Sequence, residues 1–317
     1  MTYAQFGTIQ ATDFNTFVGG NPTTTANTLN ATWATGGSSA GYGQSAVANV
    51  AAGQTVVATS YWNALVSNTA SAATHQGTSI SAVTAPTSGG VITYLSSIPT
   101  NLSSIYSSRL NAASQGSTTS NTQTYGSTWS HSLTFTFTAS FANGDAARYF
   151  FNSGGQLKVT CSSPTGTGIN LLLNNLASNV GTVVLSAPSS GAVTVVGTSY
   201  NGITKIGGGG NSPTISTNSG YYGLTTTNTT VFTQTASTGP SGYLSTNISV
   251  VAKTNGTVGT NADNGNIVTV YVTWNEIPTG LSVSSGSATT LTVVPPETTN
   301  ISNTWGTITL TGANTGS

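Results

Sequence analysis

The stretch WSHSLTFTFT, residues 129–138, decides the fold, because polar and apolar side chains alternate along most of it. Leu133, Phe135 and Phe137 share one face of an extended chain, and threonines occupy the other face. A period of two is typical of a strand that is buried on one side and hydrated on the other. The stretch therefore predicts a half-buried strand.

Similar short segments follow toward the C-terminus, separated by turn residues. They predict strands at 156–161, 182–185, 192–196, 243–253, 267–274, around Leu281, 291–294 and 308–310. A leucine-rich segment at 169–180 predicts a short helix among them. Many short strands joined by Gly, Asn and Ser turns are typical of an antiparallel sandwich. We therefore expect an α+β, mainly β chain in which residues 129–317 form a sandwich-like domain.

The first part of the chain, residues 1–115, shows helical periodicity instead. Residues 12–13 are candidate caps for a helix that stops at Gly19, and Ser60 is a candidate cap for one that stops at Gly77. These signals predict a small helical region that precedes the sandwich.

A third helical pattern runs from Ile92 to Leu110, with Pro99 predicting a kink or a break. This apolar stripe could pack within its own domain or pair with copies of itself, as in a trimeric fibre. We interpret residues 1–115 as an attachment or oligomerisation region and expect a homo-oligomer, with a trimer preferred. Residues 116–128 have no period and are interpreted as a linker.

Charge is nearly absent from the chain: 317 residues include five Lys or Arg and five Asp or Glu, with a formal net charge of zero. An ordinary soluble domain has roughly a quarter charged residues. Ser, Thr, Asn and Gly take their place. Such a surface has too little electrostatic field to bind nucleic acid or an acidic membrane. The composition favours a structural or adhesive protein over an enzyme.

The few reactive side chains form no recognisable site. The acids are scattered, whereas a glycosidase needs two carboxylates across one bond. No spacing of His, Cys and carboxylates resembles a zinc site. We predict no catalytic, cofactor-binding or metal-binding residue, and we interpret Cys161 as a buried small apolar residue.

Arg148 is the most notable basic residue, because three aromatic residues, 149–151, follow it directly. In a chain with so few charges, it is expected to pair with Asp145 or to stack on a ring. We therefore predict that Arg148 and Asp145 form a structural anchor.

The N-terminal residues show neither a basic segment nor an apolar core of a signal peptide, and no apolar run approaches the ~20 residues of a membrane span. A chain made in a cytosol without a secretion signal, yet with the surface of an extracellular fibre, is typical of a virion protein released by lysis. We therefore expect neither membrane insertion nor a nucleic-acid partner.

Five strings carry a resemblance to a known group. They are GYGQ (41–44), YWNAL (61–65), HQG (75–77), ARYFFNSGGQL (147–157) and GYYGLT (220–225). Together they resemble virion structural proteins of tailed bacteriophages, a group frequent in marine phages and cyanophages. The resemblance covers roughly residues 5–275, and ARYFFNSGG is its most specific part. It implies a particle component in the tail or its appendages, made in the host cytoplasm and exposed on the released virion.

The resulting expectation is a non-enzymatic virion protein in a fibre, baseplate, neck or collar position, with other virion proteins as partners. A capsid decoration protein belongs to the same class. The alternative is a tail fibre protein that binds a host surface glycan, with Tyr221, Tyr222 and Trp274 as candidate sugar-binding aromatics. Those three residues could equally be core, which is the preferred interpretation.

Overall fold

The computed structural model describes residues 11–21, 23, 25–35, 41–54, 58–87, 96–256, 265–278 and 280–317. The chain forms two compact units. Unit 1 comprises Met1–Ser114 and Glu297–Thr304, and unit 2 comprises Gln115–Pro296 and Trp305–Ser317. The chain thus leaves unit 1 close to the predicted end of the helical region, but it later returns there for eight residues, which the sequence did not predict.

Unit 1 contains short helices joined by irregular segments. They are α1 (Ala11–Val18), α2 (Leu29–Thr32), α3 (Asn63–Gln76) and α4 (Ser97–Ser107), with a π-helical turn, Ala58–Trp62, before α3. Helix α1 buries Phe14, Phe17 and Val18 as expected. Because α1 begins at Ala11, residues 12–13 lie in its first turn and do not cap it.

Helix α3 ends as predicted. Gly77 has a φ of 67°, a left-handed conformation that glycine adopts without strain, and its N–H donates to the carbonyls of the last turn. Ser60 is not a cap, because it lies inside the π-helical turn that continues into α3.

Helix α4 contains the part of the third apolar stripe that the structure describes, and it shows whether this stripe packs within its own unit. Ile92 and Leu95 lie outside the described residues. Ile98, Leu102 and Ile105 are buried, so this face packs within unit 1 and is not available to pair with copies. Pro99 causes no kink or break, because it lies in the first turn, where its missing N–H would have no helical partner.

Side-chain amides hold the irregular segments of unit 1 in place. In the described part of this unit, four amides each donate to a backbone carbonyl and accept from the same residue's N–H: Asn15 with Val50, Asn30 with Val47, Gln44 with Ser302 and Asn101 with Ser81. Their distances are 2.8 to 3.1 Å. Each amide reproduces the two bonds of an antiparallel strand pair, so backbone outside regular structure still finds partners.

Unit 2 is mainly β. Its strands are β1 (Thr119–Thr124), β2 (Ser132–Ser140), β3 (Gln156–Ser162), β4 (Thr182–Leu185), β5 (Val193–Val195), β6 (Thr198–Tyr200), β7 (Ile203–Ile206), β8 (Thr214–Ile215), β9 (Thr229–Thr235), β10 (Asn247–Thr254), β11 (Ile267–Asn275), β12 (Ala288–Val294) and β13 (Thr309–Gly316). The helices are α5 (Gly144–Asn152) and α6 (Ile169–Val180), and a 3-10 turn spans Tyr221–Gly223. Helix α6 has the bounds that the leucine pattern predicted.

The strands form two antiparallel sheets that pack face to face, which confirms the predicted sandwich-like fold. One sheet has the order β1-β12-β3-β4-β7, the other β13-β2-β11-β10-β9-β8, and β5 and β6 form a small hairpin. Strand β2, which contains the deciding stretch, lies inside the second sheet between β13 and β11. Val159 and Leu185 of the first sheet meet Val250 and Val270 of the second around a residual cavity of about 10 Å³.

Two expectations for this region were wrong. Residues 116–128 are not simply a linker, because β1 lies within them and pairs with β12. Its side chains are mostly exposed and polar, so this edge strand lacks the apolar alternation that identifies a strand. The predicted strand around Leu281 is absent among the described residues; Val283 makes an isolated bridge with Trp129 in a segment that Gly280 and Gly286 interrupt.

Candidate functional site

The predicted anchor lies on α5, a helix that the sequence analysis did not identify. Asn143 caps it by accepting a hydrogen bond from the Ala146 N–H at 2.8 Å. Arg148 is fully buried and donates to Asp145 at 2.7 Å, one helical turn away, while its guanidinium lies 4.6 Å from the centroid of the Tyr149 ring. Both expected contacts, the ion pair and the ring stacking, are therefore present.

The same helix carries an aromatic cluster. Phe150 and Phe151 pack edge to face, and Phe151 stacks on Tyr221 with ring centroids 4.3 Å apart. The hydroxyl of Tyr222 donates to Asn152 at 2.6 Å. The ARYFFNSGGQL and GYYGLT strings, far apart in sequence, thus contact each other in the interior of unit 2.

A glycine explains the end of the first of these two strings. A Cβ placed on Gly155 would lie 2.6 Å from both the ring and the carbonyl oxygen of Phe150, closer than real Cβ contacts come. The position therefore requires glycine so that the chain can pass directly over the phenylalanine and enter β3.

The candidate sugar-binding aromatics are mainly core residues. Tyr221 and Trp274 are completely buried, and Trp274 also donates from its indole to Thr289 at 3.3 Å. Tyr222 is half-buried and engaged with Asn152. The preferred interpretation as core is thus correct for Tyr221 and Trp274, because strand alternation and the 3-10 turn direct both rings inward.

Unit 1 contains a buried polar network that joins two further strings. The His75 Nδ1 lies 2.9 Å from the Glu297 carboxylate, and the His75 ring packs edge to face on Tyr42. Gln76 donates to the Tyr42 hydroxyl at 2.7 Å and to the Ile105 carbonyl at 3.0 Å. The GYGQ and HQG strings therefore meet in the interior of unit 1, as the other pair does in unit 2.

This network fixes the returning segment Glu297–Thr304 to the rest of unit 1. Gln44 pairs with both backbone groups of Ser302 at 2.9 Å, and Thr304 donates from its hydroxyl to the Tyr42 carbonyl at 2.6 Å. The returning segment is therefore joined to the rest of unit 1 by the Gln44 amide, the Thr304 hydroxyl and the contact between His75 and Glu297.

The two buried glutamates have opposite pKa shifts. Burial alone would raise the pKa of Glu297, but hydrogen bonds from His75, Thr299 and Asn300 outweigh burial and lower it to about 2. Burial raises the pKa of Glu276, although the backbone N–H groups of Leu281 and Gly280 donate to its carboxylate and oppose this effect. Both carboxylates are occupied in holding backbone or a neighbouring side chain.

The remaining side chains that could take part in chemistry also have structural roles. Cys161 is half-buried, so the expectation of a buried residue is met only in part, and burial of its thiol raises the pKa to about 12, as suits an inert side chain that faces Thr289. Among the described residues, no group of His, Cys, Asp and Glu could hold a metal ion, and no helix has the length and apolarity to cross a bilayer. Asp263 lies outside the described residues.

An apolar groove of about 220 Å³ lies between α3, α4 and the extended residues 80–83 of unit 1. Thr69 and Asn101 line it, but both side chains direct their polar atoms to backbone groups of unit 1 itself. A ligand site normally offers polar groups that orient its ligand. Because the polar atoms of Thr69 and Asn101 are already bonded to the backbone, the groove offers few polar groups that could orient a ligand.

The outer face of the six-stranded sheet is a surface that sequence reasoning missed. On β11, Thr269, Tyr271 and Thr273 are half-buried and alternate with fully buried valines. The residues that pair directly with Tyr271 on the neighbouring strands are Thr136 and Val251, both smaller than its ring. The alternation of residues 267–275 assigns Tyr271 to this face and Trp274 to the core.

This face is rich in hydroxyl groups and poor in charge. Thr134 and Thr273 are hydrogen-bonded across the strands at 3.1 Å, and Lys253 places its ammonium 5.7 Å from the centroid of the Tyr271 ring. Lys253 is the only charged residue on β2, β10 and β11. The arrangement can offer one aromatic ring and many hydroxyl donors and acceptors to a neutral, hydrated partner.

Comparison with known proteins found no family model that matches the chain, no similar curated protein and no solved structure that matches it.

Proposed function

We propose that the chain is a non-enzymatic structural protein of a tailed bacteriophage virion, in a fibre, baseplate, neck or collar position, and that it acts by protein–protein assembly. The observation that carries the proposal is the resemblance to such proteins together with the place of its strings. GYGQ meets HQG in unit 1, and ARYFFNSGGQL meets GYYGLT in unit 2. Strings that build the interior of both units are those that a shared fold would preserve.

The surface chemistry supports an assembly role. Arg148 and Glu297 are buried, where they contact Asp145 and His75, and the exposed strand faces carry hydroxyl groups. Such a surface binds through shape, hydrogen bonds and apolar contact, with little long-range steering. The partners are other virion proteins and copies of the chain itself, and the location is the released particle.

The test is to purify the phage particles whose genome encodes this chain, identify the chain by mass spectrometry and locate it in a cryo-EM map. The proposal expects stoichiometric amounts on the tail or its appendages. Absence from purified particles, with the chain present in the infected lysate, would contradict it. A position on the capsid surface would identify a decoration protein instead of a tail component.

Salt provides a second test on the same particles. Washing from low salt to 1 M NaCl should not release the chain, because screening removes only the charge-dependent part of binding. Release by salt alone, with the particles otherwise intact, would argue against assembly by neutral contacts.

A second candidate function, binding of a host surface glycan, is favoured by one observation, the Tyr271 face. A tyrosine surrounded by hydroxyl side chains combines a rigid aromatic contact with adaptable hydrogen bonding. The face could bind neutral sugars through Tyr271 and the hydroxyl groups, and Lys253 adds one cationic contact for a sugar with an acidic group.

A glycan array tests this second function with a matched pair of variants. Y271A should lose the signal, whereas Y106A should retain it, since Tyr106 is also half-buried beside a cation, Arg109, but lies in unit 1. No signal for the wild-type chain, or equal binding by both variants, would leave the assembly proposal as the function.

A further inference from the structure

Large apolar side chains are exposed at one end of unit 2. Among the described residues, six large apolar side chains are exposed, and four of them are Leu171, Leu244, Ile277 and Leu281, with exposed fractions of 47%, 46%, 42% and 37%. We call these four residues the apolar end. The other two, Val196 and Ile206, lie on other segments of the same unit.

The three segments that carry the apolar end are neighbours. They are α6, the β9–β10 connection (236–246) and the β11–β12 connection (276–287). Asn247 pairs with Thr235 on one side and with Asn275 on the other, so both connections leave the sheet at the same end. Helix α6 lies beside both, since Asn170 bonds Ser284 and Asn175 bonds Thr238.

Internal hydrogen bonds hold these segments in a defined shape. Thr246 exchanges hydrogen bonds with both backbone groups of Ile277, and the Glu276 carboxylate accepts from the N–H of Leu281 at 2.9 Å. Gly239 packs against Leu172 of α6, where a Cβ would lie 2.4 Å from the leucine. A partner would therefore meet a prearranged surface, and little ordering would be needed on binding.

The apolar end has almost no charge. Residues 169–180, 236–246 and 276–287 contain no Lys, Arg or Asp, and their one glutamate, Glu276, is buried. His131, directly before β2, is an exposed ionisable residue near this end, and its carbonyl accepts from the Glu276 N–H. Two copies of this surface can face each other without repulsion, whereas a charged partner would find no complementary group.

The neutrality of the whole chain favours the same partner. Net charge keeps proteins apart in solution, and this chain has a formal net charge of zero. Exposed large apolar side chains that cluster on one surface indicate an interaction site, whereas single ones are ordinary. Ile98, Leu102 and Ile105 of the α4 stripe are buried inside unit 1, and among the described residues the apolar end holds four of the six exposed large apolar side chains.

We propose that the apolar end binds a second copy of this chain. The inference rests on the proposed assembly function and names one of its partners. It can fail while that function stands, because a chain that is found in the particle but is monomeric when purified would disprove only self-association through this end.

The test is sedimentation velocity of the purified full chain over a concentration series, with variants that retain the fold. The wild-type chain should associate reversibly, and the double variant L244S/L281S should weaken association by about tenfold or more, because it removes two apolar side chains from the contact. The matched control is I206S, which replaces an equally exposed apolar residue elsewhere in unit 2. Circular dichroism melting curves verify that all three chains are folded.

Three results would overturn the proposal: a wild-type chain that stays monomeric at its highest soluble concentration, a double variant that associates like wild type, or a control variant that dissociates as readily as the double variant. If L244S/L281S does not fold, the single variant L171S replaces it in the experiment. Leu171 lies on α6, in another segment of the apolar end, so L171S should also weaken association. Association that 1 M NaCl abolishes would also count against an apolar contact.

Discussion

The two units satisfy their backbone in different ways. In unit 2, strands pair in long antiparallel ladders, such as the nine-residue register between β2 and β11. In unit 1, much of the described chain is irregular, and amides such as Asn30 and Gln44 supply both hydrogen bonds that a neighbouring strand would have supplied. Among the described residues, each unit has one close contact between an acidic and a basic side chain, Glu297 with His75 in unit 1 and Asp145 with Arg148 in unit 2.

The comparison shows how a chain with few charges can fold without a network of salt bridges. An amide is both donor and acceptor and keeps no net charge when buried, so it avoids the desolvation penalty of an ion. The stability of unit 2 should therefore depend on its apolar packing, and the stability of unit 1 on individual polar side chains.

The largest effect is expected from F151A in the aromatic cluster of unit 2. Phe151 is fully buried against Phe150 and Tyr221, and truncation of a buried phenylalanine destabilises by about 3–5 kcal/mol. Urea denaturation should show this loss. The control V196A, at an exposed position of the same unit outside the apolar end, should change the free energy of unfolding by less than ~0.5 kcal/mol. A loss below ~1.5 kcal/mol for F151A would show that unit 2 does not depend on this cluster.

The next effect is expected from N30A in unit 1. Asn30 is 1% exposed, and its removal leaves the N–H and carbonyl of Val47 without their side-chain partner, at about 1–3 kcal/mol for each unsatisfied group. We expect a destabilisation of about 2–4 kcal/mol and faster hydrogen exchange around Val47. N175A removes a single exposed bond in unit 2 and should have little effect. Equal effects of the two variants would remove the distinction between the units.

Acid should affect the two units in opposite directions. Glu297 in unit 1 has a pKa lowered to about 2, so its stabilising contribution is complete above its ordinary value of 4.5 and is lost as the pH falls from there to about 2. Glu276 in unit 2 has a raised pKa, so folding binds a proton there and acid relieves its burial penalty. Peptide-resolved hydrogen exchange between pH 5 and pH 2 should therefore show unit 1 losing protection first.

The variant E297Q isolates this effect. It keeps the shape of the side chain but cannot titrate, so it should remove most of the acid dependence of unit 1 and leave unit 2 unchanged. After allowance for solvent screening, the loss on acidification of the wild type is at most about 2 kcal/mol. Loss of protection in unit 2 before unit 1 would contradict the assignment of these two carboxylates.

The sequence predicted unit 2 better than unit 1, for a physical reason. The periodicity of a strand or a helix lies within a few consecutive residues. The deciding stretch of β2 and the leucines of α6 could therefore be identified directly from the sequence. The amide pairs of unit 1 join residues as far apart as Gln44 and Ser302, and no local sequence pattern predicts such pairs. The return of Glu297–Thr304 to unit 1 depends on those same long-range bonds.

Among the candidate sites, too, those set by local sequence were predictable and those set by long-range contacts were not. The Arg148–Asp145 pair spans one helical turn and was predictable from the sequence. The sugar-binding candidates were chosen by residue type, and Trp274 proved to be core because its strand places it on the same face as three buried valines. Applied to β11, the alternation would have selected Tyr271. The apolar end could not be predicted, since it combines three segments that only the folded chain brings together.

The smallest effect is expected from T122V on the exposed face of β1. The Thr122 hydroxyl bonds Thr290 across the strands at 2.7 Å, but both groups can bond water in the unfolded chain, so the net contribution is small. We expect a change in unfolding free energy of less than ~0.5 kcal/mol, together with lower solubility in ammonium sulfate precipitation. Because valine also suits a strand, a large loss of stability would mean that the hydroxyl pairs hold the sheet together. A small loss with lower solubility would mean that threonine here replaces charge as the group that keeps the surface hydrated.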